Sequence, residues 1–142
     1  MAMEYQQLTQ DERDEMLAEA LYGREREHFA YETEIQHHQQ LLAQLPTKAW
    51  PKRLEHLRGL GRDQMIMAAK DATELDEAAQ YADRDRIAGM LAASTLERGR
   101  VEKYHAATLA QLPAARRAAA FSRAATKRAE REAAQRATGR GA

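Results

Sequence analysis

Cysteine is absent from these 142 residues, which excludes disulfides, thiolate metal sites and cysteine nucleophiles together and suits a reducing cytosol. Aromatic residues make up only 6% of the chain and β-branched residues are scarce, so there is little from which to build strands. Proline occurs only at Pro46, Pro51 and Pro113, leaving long stretches of backbone unbroken. No run of about 18 consecutive apolar residues occurs, so no segment reads as membrane-spanning. The opening Met1-Ala2-Met3-Glu4-Tyr5-Gln6-Gln7 lacks the basic residues and apolar core of a secretory signal. A cytoplasmic location with no membrane partner is the expectation. Gly-x-Ser-x-Gly turns and glycine-rich phosphate loops are missing too, and Gly59-Leu60-Gly61-Arg62 matches no phosphate-binding signature. Neither enzyme chemistry nor a cofactor is expected.

What the chain has is Ala, Glu, Arg, Leu and Gln, the residues of high helix propensity, and an all-α fold follows. Thr9-Gln10-Asp11-Glu12 reads as a capping box that opens a helix near Gln10. From there Leu17, Leu21, Arg24, His28, Tyr31, Ile35, His38, Leu42 and Leu45 recur at alternating steps of four and three, a heptad seam. Arg24, His28 and His38 stand where a simple coiled coil has leucine, at a cost in stability unless they are paired or near an edge. The helix is expected to span about 10–45 and to stop at Pro46. A turn through Trp50 leads to a short helix over about 51–58, ended by Gly59-Leu60-Gly61. Asp63 is expected to cap the next segment, whose Met65, Ile66, Met67, Ala68, Ala69, Ala72 and Leu75 form the most apolar stretch and the expected core. The charged residues between Thr73 and Asp85 suggest a break, after which a second long helix runs over about 83–112 with Ile87, Met90, Leu91, Val101, Tyr104, Leu109 and Leu112 as its apolar positions. The expected architecture is an elongated helical bundle, residues 1–113, followed by a basic Ala/Arg-rich helical tail, residues 114–142.

The zero net charge conceals a gradient. Residues 1–47 hold ten acids against Arg13, Arg24 and Arg26, whereas residues 114–142 hold eight bases against Glu130 and Glu132. Such a separation can be used within the molecule, between copies, or on an external polyanion. Arg116, Arg117, Arg123, Lys127, Arg128, Arg131 and Arg136 are the residues that would contact phosphates of a nucleic acid or a protein partner from this tail. No recognition cluster, aromatic platform or zinc motif accompanies them. The alternative is that they pair with Glu12, Glu15 and Glu19 of the first helix or stay solvated. Trp50, between two prolines and beside Lys48 and Lys52, reads either as a plug at one end of the bundle or as an exposed anchor for a partner.

Metal binding is the other chemistry the residues allow. Glu25-His28, Glu34-His37 and Glu102-His105 share the Glu-x-x-His spacing that sets a carboxylate and an imidazole on one helix face. Leu42-Ala43-Gln44-Leu45-Pro46 and Leu109-Ala110-Gln111-Leu112-Pro113 end the two long helices alike. If those helices run parallel and level, Glu34, His37, Glu55, His56, Glu102 and His105 would form a ligand cluster across three helices. The arrangement departs from the ferritin-like pattern, since its motifs fall on the first and third helices and Phe121, Ser122 and Arg123 stand at the matching level of the tail. Solvated Glu–His contacts are the competing reading.

The opening Leu8-Thr9-Gln10-Asp11-Glu12-Arg13 and the acidic helix after it, about the first 45 residues, resemble small uncharacterised helical proteins of bacteriophages of high-GC bacteria. The resemblance implies an accessory role in a phage or mobile element and assigns no functional residue. Taken together, the expectation is a non-enzymatic helical protein that binds protein partners and self-associates. Metal binding and nucleic-acid binding are the alternatives.

Overall fold

A computed structural model describes residues 7–140 and the side chains of 7–139. The protein is all-α: α1 spans Gln10–Leu42, a short 3-10 helix Lys52–Leu57, α2 Arg62–Ala68, α3 Ala72–Gln111 and α4 Ala114–Arg140. No strand occurs among the described residues, and none of their helices is long and apolar enough to cross a membrane. Two compact units result, a terminal one of Met1–Phe29 with Gly99–Ala142 and a central one of Ala30–Arg98.

The expected capping box opens α1. Thr9 N–H donates to Glu12 Oε1 at 3.3 Å and Glu12 N–H to Thr9 Oγ1 at 3.0 Å, so two amide donors without intrahelical partners are satisfied reciprocally. At the other end, ahead of Pro46, the last turn tightens: Gln44 N–H bonds to Leu41 O and Leu45 N–H to Leu42 O, each at 3.1 Å. Every residue of the expected α1 seam is buried or half-buried. Asp14 and Ala18 extend that face toward the N-terminus.

In the central unit Trp50, Leu54, Leu57, Met65, Ala78 and Tyr81 form the core, with Leu60, Ala69, Leu75 and Ala82 packed against it. Gly59 ends the 3-10 helix at φ +81°, a conformation open to glycine and costly for other residues. Four sequence expectations are corrected here. Asp63 does not cap α2, whose N-cap is Gly61 without a side-chain bond; Asp63 lies within the first turn, where its charge still suits the helix dipole. Of the apolar stretch only Met65 is buried, whereas Ile66 and Met67 are 52% and 88% exposed. A helix of seven residues turns one narrow face inward, and consecutive residues cannot share it.

The third correction concerns the expected break. α3 begins at Ala72, with Glu74 N–H bonded to Asp71 Oδ1 at 2.8 Å, and runs without interruption through the charged stretch. Leu75, Ala78, Tyr81 and Ala82 recur at helical spacing and face the core, and the charges between them are used rather than disruptive. Arg53 pairs with Glu77, His56 Nε2 lies 3.1 Å from Glu74 Oε1, and Arg84 donates to the carbonyls of Pro46 and Lys48. From Ile87 the inward positions of α3 follow a strict four–three rhythm through Leu91, Ser94, Arg98, Val101, His105, Thr108 and Leu112. Met90 and Tyr104, expected among the apolar positions, are exposed instead.

In the terminal unit Ala18 and Leu21 of α1, Leu112 at the end of α3, and Ala120 and Ala124 of α4 are buried together, with Leu17, Leu109 and Phe121 against them. Small alanines let the α4 backbone come close, which explains how a helix with one large apolar residue finds a face to bury. Pro113 stops α3, and α4 starts at once, Arg116 N–H bonding to Pro113 O at 2.9 Å.

Candidate functional site

Two constellations stand out, both in the terminal unit. The first is the face between α1 and α4. Arg116 and Arg117 occupy the first turn of α4, the positive end of the helix dipole and a poor place for cations in isolation. The tertiary structure compensates both. Arg116 Nε donates to Asp14 Oδ2 at 2.7 Å, and Arg117 donates to Leu112 O at 2.8 Å and to Leu109 O at 3.3 Å, which also accepts from Leu112 N–H, so its charge meets carbonyls at the end of α3.

Further along α4, Arg123 reaches Glu15 at 3.1 Å and Asp11 at 3.6 Å, and Lys127 pairs with Glu15 as well. Arg128 donates to Glu19 at 2.7 Å and stacks over the Tyr22 ring, 3.5 Å from its centroid, while Arg131 reaches Glu19 at 3.1 Å. Of the seven α4 cations singled out, Arg116, Arg117, Arg123, Lys127, Arg128 and Arg131 are therefore engaged inside this unit, and Arg136 is exposed. Of the acids expected to receive them, Glu15 and Glu19 do so, whereas Glu12 serves the helix cap.

Asp14, absent from that expectation, is the most buried of the acids involved, at 1% exposure. The Arg116 hydrogen bond holds its carboxyl below the usual aspartate value against the opposing effect of burial, and Gln10 adds a 3.1 Å bond. Lys127 does the same for Glu15, with Arg123 adding to it. The signal that could have found Asp14 is its place one step of three before Leu17 on the seam, an acid where the face turns inward.

The second constellation lies where α1 meets α3. His28 Nε2 is 2.8 Å from Glu102 Oε1, and His105 Nε2 is 3.4 Å from Glu25 Oε1. Residue numbers rise on one helix as they fall on the other, so these segments are antiparallel. The crossed pairs, with Arg24 and Val101, line an open cleft of about 390 Å³. Val101 is buried at its base, while Arg24 is drawn to Glu27 at 2.9 Å and lies over the Tyr104 ring at 5.6 Å.

The ligand cluster expected from a parallel alignment does not form. Glu102 and His105 are joined by Glu25 and His28, while Glu34, His37, Glu55 and His56 belong to the central unit. There Glu34, His37 and Glu55 are exposed and His56 pairs with Glu74. Among the described residues no group of three or more His, Asp or Glu side chains is placed to hold a metal ion. The Glu-x-x-His spacing of Glu25-His28 was visible in sequence; its partner was not, because spacing along one helix carries no information on the direction of the next.

Trp50 belongs to the core of the central unit. It is buried, its indole N–H donates to Asp85 Oδ2 at 2.8 Å, and its ring tilts 38° against Tyr81 at 5.4 Å. The Trp50 bond is the main cause holding the Asp85 carboxyl below its ordinary value, with Arg84 assisting against burial. The exposed-anchor alternative does not hold. No protein-family profile matches the chain, no curated protein matches its sequence, and no solved structure matches its fold.

Proposed function

We propose that this protein is a non-enzymatic helical interaction protein that acts by contact and self-associates, its partner in the first instance being a second copy of itself. The observation that carries this reading is exposed apolar surface. Met16, Phe29, Ile66, Met67, Leu96 and Tyr104 are each more than half exposed and supply surface that a second copy would bury. The phage-like style of the first 45 residues adds an accessory or structural role in a phage or mobile element to the proposal.

Binding of nucleic acid through α4 has less in its favour, since Arg116, Arg117, Arg123, Lys127, Arg128 and Arg131 are turned toward α1 and the end of α3. Light scattering coupled to size exclusion, run over a range of concentrations, tests the reading. A mass of two or more chains is expected. A monomer at the highest concentration removes self-association.

A further inference from the structure

The segment that joins α1 to α3 is dominated by one sign of charge. Residues 48–70 carry six lysines and arginines against Glu55 and Asp63, in a chain whose net charge is zero. Leu54, Leu57 and Met65 take the inward positions of its two short helices, so most of the remaining side chains face solvent. Arg53 is drawn to Glu77 and His56 to Glu74. Lys48, Lys52, Arg58, Arg62 and Lys70 are exposed and make no ion pair among the described residues, Arg58 acting on Asp85 only at longer range. Within the same segment Ile66 and Met67 are 52% and 88% exposed. Arg62 lies one helical turn before Ile66 on the same face of α2, and Lys70 follows Met67 by three residues. Asp63, one turn before Met67, is the acid that opposes them there.

We infer that this segment is a docking surface for an anionic membrane, its cations held at the lipid phosphates while Ile66 and Met67 dip into the interface. The charge is complementary, since a leaflet that contains phosphatidylserine is negative and draws lysine and arginine that come within a screening length of it. The apolar pair fits the same partner. A side chain as exposed as Met67 projects from the surface and suits a fluid medium that closes around it. Nucleic acid offers the phosphates but nothing for Ile66 and Met67, and the aromatic residues of this core, Trp50 and Tyr81, are buried rather than open to base stacking. A contact of this kind lies on the bilayer and does not need a helix long enough to cross it. The expectation of no membrane partner rested on the lack of such a helix.

Co-sedimentation of the full chain with vesicles of phosphatidylcholine, with and without phosphatidylserine, tests the surface. Binding to the phosphatidylserine vesicles is expected at about 0.1 M NaCl and its loss at about 1 M, as the screening length shortens from about 10 to about 3 Å. Lys52→Gln with Arg62→Gln should weaken binding by roughly 25-fold, about five-fold for each cation near the surface. Ile66→Gln with Met67→Gln should weaken it by about ten-fold or more. Because all four side chains are exposed, helix content by circular dichroism should stay as in the wild type. Arg136→Gln, which removes an exposed cation of α4, should leave binding as it was. The chain has no cysteine, so Met67→Cys accepts a single environment-sensitive fluorophore, whose emission should shift to the blue on the charged vesicles. Equal binding to vesicles without phosphatidylserine overturns the proposal, as do variants of this segment that bind like the wild type or a fluorophore that stays in water. Binding of duplex DNA through Lys52 and Arg62, with no binding to vesicles, gives the surface to nucleic acid instead. Ile66 and Met67 are also among the side chains open to a second copy. Lost vesicle binding with an unchanged mass in light scattering supports insertion, whereas a fall in mass with vesicle binding retained assigns the pair to that contact.

Discussion

Arg116 and Asp14, 102 residues apart in sequence, are joined by a 2.7 Å hydrogen bond that holds the start of α4 against the first turns of α1. The carboxylate is buried and its other oxygen accepts from Gln10.

This contact makes the terminal unit acid-sensitive. Asp14 and Glu15 have carboxyls held below their ordinary values of 3.8 and 4.5, so the unfolded chain binds protons more readily than the folded one as pH falls. The stabilisation is complete above those ordinary values and is lost as pH drops through the lower, folded ones. Melting temperature should be flat near neutrality and fall below about pH 4. Asp14→Asn should lower it at pH 7 and flatten the acid limb. An unchanged acid limb in that variant would show that other carboxylates dominate.

The ion pairs that seat α4 are largely at the surface, so each contributes little and salt screens them. Reversing one side should still undock the helix, because Glu15→Lys with Glu19→Lys sets like charges against Arg123, Lys127, Arg128 and Arg131. Faster amide exchange across 114–131 is expected, with recovery when Lys127→Glu and Arg128→Glu are added. No recovery would mean that the Ala120 and Ala124 contacts, rather than charge, seat the helix.

His38 sits buried on the α1 seam, and its Nδ1 has no hydrogen-bond partner. Removing a buried, unpaired polar atom from a position that suits leucine should stabilise the protein. His38→Leu is expected to raise unfolding free energy by about 1–3 kcal/mol, measured by urea denaturation. A loss of stability would show that the imidazole shape is needed there.

Trp50 and Gly59 bracket the 3-10 helix of the central unit. Trp50→Phe should cost about 1–3 kcal/mol through the lost bond to Asp85 and the space left by the smaller ring. Gly59→Ala should cost about 1–2 kcal/mol because the residue holds a positive φ. Trp50 fluorescence follows Gly59→Ala directly; no shift in its unfolding midpoint would remove the backbone-strain argument.

Much of this architecture is written in local pattern. The Thr9–Glu12 box, the stops at Pro46 and Pro113, the turn at Gly59 and the α1 seam from Leu17 to Leu45 depend on residues close in sequence, where capping, φ restriction and helical period act. Where neighbours along the chain disagree, local pattern misleads. Charges from Thr73 to Asp85 read as a break because their partners, Arg53, His56, Trp50 and the Pro46 and Lys48 carbonyls, lie 18–38 residues away.

By itself, then, the sequence determined that the chain is helical, where α1 opens, where the prolines and Gly59 end helices, and which face α1 turns inward, because those properties follow from backbone propensity, local capping and a period of 3.6 residues. Only the tertiary structure decided that the facing segments of α1 and α3 run antiparallel, so that Glu25-His28 rather than Glu34-His37 meets Glu102-His105, and that α4 turns its cations onto Asp14, Glu15 and Glu19. A heptad seam accommodates either direction of its partner. Contacts between residues far apart in the chain make that choice.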